Sequence, residues 1–246
     1  MSSLRSLQLK SHITKLDNQW LIAPPELAVS PQWFEPSYWQ AQALVIGQSH
    51  GRNVTWFVGK PTSPMVLRHY YRGGLIAKLV TDSYLFTGLE STRAYREYVL
   101  LKELERRELP ACRVVAARVI KKGICYQADL LMKLVEGGKD LVALLSQDKL
   151  STAQWQAIGC MIAQFHRQGV YHADLNAHNI LLDGAQQPCL IDFDRGEIKA
   201  EKGQWCQDNL DRLLRSFNKE KGKLPTFHFS SDDWESLLQG YRLSAA

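Results

Sequence analysis

The chain has 246 residues, 45% of them apolar and 22% charged, with a net charge of +5 and five cysteines in no paired spacing. That balance excludes disordered, fibrous and disulfide-stapled chains and leaves room for one two-lobed unit or two small domains. No apolar run approaches the roughly 20 residues that cross a bilayer, and residues 1–15 lack the apolar stretch of a secretion signal, so a cytoplasmic protein with reduced thiols and at most peripheral membrane contact is expected.

Residues 1–40 are rich in Trp, Pro and polar residues and show no clear period. Strands are predicted over 43–46, 54–58 and 65–69, the first two joined by the polar turn Gln48-Ser49-His50-Gly51-Arg52-Asn53. Ser91 or Thr92 can cap a helix that runs to about Arg107, where Pro110 follows to stop it; Tyr98, Leu101 and Leu104 share one face. Strands over 113–120 and 124–135 flank the tight turn Lys121-Lys122-Gly123, and Glu136-Gly137-Gly138 reads as a hinge. Asp140 caps a short helix. Ser151-Thr152-Ala153-Gln154 is a capping box opening a helix on which Trp155, Ile158, Ile162 and Phe165 recur, with Gly169 as its stop.

His172-Ala173-Asp174-Leu175-Asn176-Ala177-His178-Asn179-Ile180-Leu181-Leu182, then Ile191-Asp192-Phe193-Asp194, carries the chemistry. Phosphoryl transfer to a hydroxyl needs a carboxylate beside the attacking oxygen, for which Asp174 is the candidate. It also needs oxygen ligands for Mg²⁺ on the nucleotide phosphates, for which Asn179 and Asp192 are the candidates. A short strand, the turn Asp183-Gly184 and a second strand fit between Asn179 and Asp192 and bring all three side chains to one edge. His172 and His178 are expected to shape the loop, since Mg²⁺ prefers oxygen, and His166 is expected to be structural.

These motifs give the earlier elements roles. The turn over 48–53 suits a cover for ATP phosphates, with Gly51 as its glycine and Asn53 where another glycine would stand. Arg68 holds the position where kinases place a phosphate-binding lysine, and its forked guanidinium suits that task; Lys60 and Lys78 are the alternatives. Glu97 is the acid expected against Arg68, with Glu90 and Glu103 competing. Backbone groups over 133–135, Lys133 among them, are expected to meet the adenine. The fold expected is α+β and protein-kinase-like: a lobe over 1–135 with an antiparallel sheet and one helix, and a small, mainly helical lobe over 136–246. His172-Ala173-Asp174 lacks the arginine that reads a phosphorylated activation loop, and no Ala-Pro-Glu lies between Asp194 and Ala246, so a small-molecule or glycolipid kinase without a phospho-switch is expected. Basic residues gather over 68–78 and 199–223, which suits an anionic acceptor or membrane surface; no nucleic-acid motif is visible.

Four segments carry a closer resemblance. Residues 66–75 (Val-Leu-Arg-His-Tyr-Tyr-Arg-Gly-Gly-Leu), 123–129 (Gly-Ile-Cys-Tyr-Gln-Ala-Asp), 174–182 and 209–217 (Asn-Leu-Asp-Arg-Leu-Leu-Arg-Ser-Phe) are together similar to the 3-deoxy-D-manno-octulosonic acid (Kdo) kinases of the lipopolysaccharide kinase group, over roughly residues 20–240. The resemblance implies ATP and Mg²⁺ as cofactors and phosphorylation of the 4-hydroxyl of Kdo on a lipid A precursor. It implies a peripheral place at the cytoplasmic face of the bacterial inner membrane, in lipopolysaccharide core assembly, with Asp174 as the catalytic residue. No obligate protein partner is evident. A heptose, aminoglycoside or choline kinase, or a nucleotide-binding pseudokinase scaffold, are the competing readings.

Overall fold

The computed structural model describes residues 12–50, 54–71 and 82–245. The chain divides into two compact units, Met1–Lys102 with Arg113–Leu134, and Glu103–Cys112 with Val135–Ala246. A single break at 135 was the simpler expectation. Residues 103–112 go with the second unit because the Cys112 N–H donates to the Leu190 carbonyl at 3.1 Å and the Leu190 N–H to the Pro110 carbonyl at 2.9 Å.

The first unit is built on an antiparallel sheet. Its strands are β1 (His12–Leu16), β2 (Gln19–Ala23), β3 (Val45–His50), β4 (Val54–Val58), β5 (Met65–His69), β6 (Tyr84–Leu85), β7 (Val114–Lys122) and β8 (Cys125–Lys133), in the order β1-β2-β7-β8-β5-β4-β3 with β6 on β8. The region over 1–40 is therefore more regular than its composition indicates. Asp17-Asn18 makes a tight turn, with Asp17 at φ 49°, and β2 pairs with β7. The third strand starts later than expected because Ala43 takes φ 54° and breaks the extended run.

The sheet uses its two faces differently. On one, Leu21, Ala23, Val58, Leu67, Ala116 and Leu131 form a core with Phe34 and Trp39. Those two come from a 3₁₀ turn at Pro31–Phe34, capped by the Ser30 hydroxyl, and from α1 (Pro36–Ala41). Arg118 binds Asp129 at 2.8 Å and Glu35 at 2.6 Å, and Asp129 binds His69 at 2.6 Å, tying the turn to the sheet through paired charges. Because side chains alternate along a strand, Arg68 and Tyr70 point the other way, toward Glu97 of α2 (Arg93–Arg106). Thr92 caps α2, its hydroxyl accepting from the Tyr95 N–H at 3.4 Å.

The second unit holds β9 (Lys139–Asp140), α3 (Leu141–Leu145), α4 (Thr152–Arg167), β10 (Val170–Tyr171), β11 (Ile180–Leu182), β12 (Pro188–Leu190), β13 (Glu197–Ile198), α5 (Gln204–Lys221) and α6 (Ser231–Ala245). Asp140 caps α3 through the Val142 and Ala143 N–H groups, and Ser151 with Gln154 forms the expected capping box on α4. Gly169 ends that helix region at φ 73°. Trp155, Phe217 and Phe229 pack as an aromatic cluster, Phe217 and Phe229 stacked with centroids 4.6 Å apart.

Helices α4 and α6 cross at two glycines. A Cβ on Gly159 would lie 2.0 Å from the Leu237 carbonyl oxygen, and one on Gly240 would lie 2.1 Å from that of Gln156. Backbone cannot yield as a flexible side chain can. Gly159→Ala is therefore expected to destabilise the protein by at least about 2 kcal/mol, read as a lower urea midpoint. An unchanged midpoint would contradict the close crossing.

Candidate active site

The predicted residues fall into two groups, one in each unit. In the first unit the Arg68 Nη2 donates to the Glu97 Oε2 at 2.5 Å, and the Tyr70 hydroxyl donates to the same oxygen at 2.6 Å. The Glu97 side chain is 0% exposed and that of Arg68 19%. The Arg68 and Arg93 guanidinium groups stack on the Tyr70 ring, with centroid distances of 4.8 and 5.4 Å. Burial, reinforced by the Glu97 charge, holds the Tyr70 phenol well above its usual range, so it stays a donor. Of the competing acids, Glu103 is committed to Arg106 and Arg107; the Arg106 hydrogen bonds lead in lowering its carboxyl to about 2. Glu90 is exposed. Lys60 is exposed, while Gly51, Asn53 and Lys78 lie outside the described residues. Lys133 is partly engaged within the sheet. Its N–H donates to the Arg113 carbonyl at 2.8 Å and that of Leu134 to Pro64 at 3.0 Å, so the sheet already uses both backbone donors.

In the second unit the loop at 172–179 is held from several sides. The buried His172 accepts the Asp174 N–H on Nδ1 at 3.1 Å, so Nε2 carries the proton and donates to the Ile191 carbonyl at 3.0 Å. Desolvation keeps this imidazole below its usual range and therefore neutral. The Asn179 Nδ2 donates to the Asp174 carbonyl at 2.9 Å, as does that of Asn176, which orients the Asn179 Oδ1 away from the loop backbone. The Ile191 N–H donates to the Asn179 carbonyl at 2.9 Å. These links bring the backbones of Asp174, Asn179 and Ile191 together. Asp192 follows at φ 61°, a conformation non-glycine residues adopt only when their surroundings impose it. The buried Phe193 supplies that constraint, packing against Phe165 and His172.

Helix α5 anchors this loop through one face. Asn209, buried, accepts the His172 N–H at 3.4 Å and donates Nδ2 to the His172 carbonyl at 2.9 Å. The Ser216 Oγ accepts the Ala177 N–H at 3.1 Å, and the Arg212 Nη1 meets the Asp174 Oδ1 at 2.5 Å. All three lie in the segment 209–217 that carries the family resemblance, but sequence reasoning assigned none of them a part in holding this loop. Their signal was the spacing 209, 212, 216, which lines one helix face. Arg212 had been counted in a basic surface over 199–223. Four of that region's seven cations are engaged: Lys199 with Glu197, Arg212 with Asp174, Lys221 with the Phe229 carbonyl and Lys223 with Glu220.

A neutral histidine bracing a half-exposed carboxylate, next to an amide and a second carboxylate on a β-hairpin, is an arrangement for phosphoryl transfer. The profile of the lipopolysaccharide kinase (Kdo/WaaP) family matches residues 36–241. The chain belongs to that family. It is 46% identical over 225 residues to the 3-deoxy-D-manno-octulosonic acid kinase of Vibrio vulnificus (strain CMCP6), covering 92% of each chain. It is 46% identical over 230 residues to the enzyme of that name from Photobacterium profundum (92% and 96% covered), and 41% over 241 residues to that of Haemophilus influenzae strain Rd (94% and 99%). As a member of the lipopolysaccharide kinase family it is a phosphotransferase acting on an alcohol group, with an α+β, protein-kinase-like fold.

The Arg68–Glu97 pair separates stability from activity. Arg68→Ala removes one hydrogen-bonded partner of a buried carboxylate and is expected to cost about 1–3 kcal/mol. Adding Glu97→Leu should recover part of that loss in urea unfolding while phosphotransfer stays impaired. Recovery of both in the double variant would show that the pair only supports the fold.

Proposed function

We propose that this chain transfers the γ-phosphoryl group of ATP to the 4-hydroxyl of Kdo on a lipid A precursor, at the cytoplasmic face of the inner membrane, in lipopolysaccharide core assembly. The observation that carries the reading is the braced loop at 172–179 with its half-exposed Asp174, in a chain whose relatives over nine-tenths of its length bear the name Kdo kinase.

Each residue then has a task. The Asp174 carboxylate accepts a hydrogen bond from the acceptor hydroxyl and takes its proton as the oxygen attacks phosphorus. His172, neutral and donating elsewhere, positions Asp174 without competing for that proton. Arg68, fixed by Glu97, is the residue to hold the α and β phosphates. With the Lys133 and Leu134 N–H groups used by the sheet and the Val135 carbonyl accepting the Gly138 N–H at 3.0 Å, the Val135 N–H is the backbone donor proposed to meet the adenine.

The donors present fit Mg²⁺. The Asn179 amide nitrogen is committed to the Asp174 carbonyl, which leaves its oxygen as the free ligand, and Asp192 adds a carboxylate. Among the described residues no three His, Cys, Asp or Glu side chains gather into a cage, and Mg²⁺ is commonly held by one or two protein oxygens together with phosphates. The ion, when bound, neutralises charge on the β and γ phosphates. No described helix is long and apolar enough to cross a membrane, and the lipid-anchored acceptor supports peripheral attachment.

Phosphate transfer from labelled ATP with Mg²⁺ tests the reading. Transfer is expected to lipid A precursor bearing one Kdo, and not to heptosylated acceptor lacking a free Kdo 4-hydroxyl, aminoglycoside or generic protein. Asp174→Ala should lower kcat by about 10³-fold with ATP binding unchanged. Transfer to another acceptor alone would overturn the substrate, and near-normal turnover in Asp174→Ala would overturn the role of that carboxylate.

A further inference from the structure

The ion pair between Arg212 and Asp174 is unusual in its setting. Both side chains are about half exposed, 46% and 51%, where an ion pair adds little to stability. Yet the helix that carries Arg212 is anchored on both sides of it. The arginine rises from α5 between Asn209 and Ser216, both hydrogen-bonded to the loop that carries Asp174. Its Nη1 meets Asp174 at 2.5 Å, and no second partner of its guanidinium is found among the described residues. A cation with open donors thus stands beside the carboxylate that must receive the acceptor hydroxyl.

We propose that Arg212 selects the acceptor by binding a carboxylate on the same sugar ring as the hydroxyl that is phosphorylated. The inference rests on the proposed reaction and deepens it. Any hydroxyl placed on Asp174 carries its neighbouring ring substituents onto Arg212, because the two side chains are in direct contact. In an ulosonic acid the carboxylate is borne on C2 and the reacting hydroxyl on C4, so both groups can meet the pair together. The carboxylate offers Arg212 two oxygens for a forked contact, in place of the single contact to Asp174. Arg212 then shifts from enzyme carboxylate to substrate carboxylate, and both Asp174 oxygens become available to the hydroxyl. A neutral sugar leaves Arg212 on Asp174, and a cationic acceptor such as an aminoglycoside meets a like charge there. Selection at this point acts by unmasking the group that does the chemistry, so it appears in turnover as well as in binding.

The test compares transfer to Kdo-bearing lipid A precursor and to the same lipid with its C1 carboxylate converted to the carboxamide, using wild type, Arg212→Lys and Arg212→Gln. The side chain is exposed, so both variants are expected to fold, checked by an unchanged thermal transition. Wild type should prefer the acid by on the order of 100-fold in kcat/KM. Arg212→Gln should lose activity on the acid and treat the two acceptors alike, while KM for ATP stays constant. Arg212→Lys, which keeps the charge without the fork, should retain part of the preference. A full acid preference in Arg212→Gln would overturn the role of Arg212 and leave the Kdo reaction standing. Equal use of acid and carboxamide by wild type would overturn recognition of the carboxylate. Failure of wild type on both, with activity on a different acceptor, would overturn the Kdo reaction itself and this inference with it.

Discussion

One buried amide decides whether the loop at 172–179 has a fixed shape. Asn209 both donates to and accepts from the backbone of His172, so that residue cannot rotate without breaking two buried hydrogen bonds. Everything downstream depends on His172 staying in place. Its ring holds the Asp174 N–H on one side and the Ile191 carbonyl on the other, and Phe193 packs against its face. The positive φ of Asp192 persists because the hairpin and Phe193 fix both of its neighbours. The strain is stored at the carboxylate proposed as a metal ligand and is sustained by aromatic packing beneath it.

The two groups of functional residues are stabilised by opposite means. In the first unit Glu97 is buried, so its charge must be paired, and Arg68 and Tyr70 both serve that need. The result is a guanidinium held in place by the fold itself. In the second unit Asp174 is open to solvent and is positioned through its backbone, leaving its carboxylate in contact with Arg212 alone among the described residues. Such a hold suits the proton transfer proposed for Asp174, because no buried charge has to be re-paired. Preorganisation of this kind lowers the cost of ordering at the moment of transfer.

What could be read from the sequence was whatever is local. The Ser151 capping box, the Asp140 cap, the stop at Gly169 and the hairpin between Asn179 and Asp192 each rest on contacts a few residues long, and the structure holds all four. The pairing of Arg68 with Glu97, against two competing acids, was expected from Arg68 at the kinase lysine position, and it appears in the geometry. The N-terminal strands were missed because a Pro- and Trp-rich stretch hides a short hairpin that gains its stability from β7. The assignment of residues 103–112 depended on hydrogen bonds to Leu190, far along the chain. The loop contacts of Asn209, Arg212 and Ser216 were hidden for the same reason. Each is an ordinary polar residue on an amphipathic helix, and only the folded chain reveals the loop they face.

Turnover of Asn209→Ala, measured with saturating ATP and acceptor well below the variant's melting transition, reaches the centre of this arrangement. If α5 sets the shape of the loop that performs the transfer, kcat should fall by about 10²-fold while the affinity for ATP is retained. Wild-type turnover in that variant would mean that the loop keeps its catalytic geometry without Asn209, and the dependence of the site on α5 would have to be abandoned.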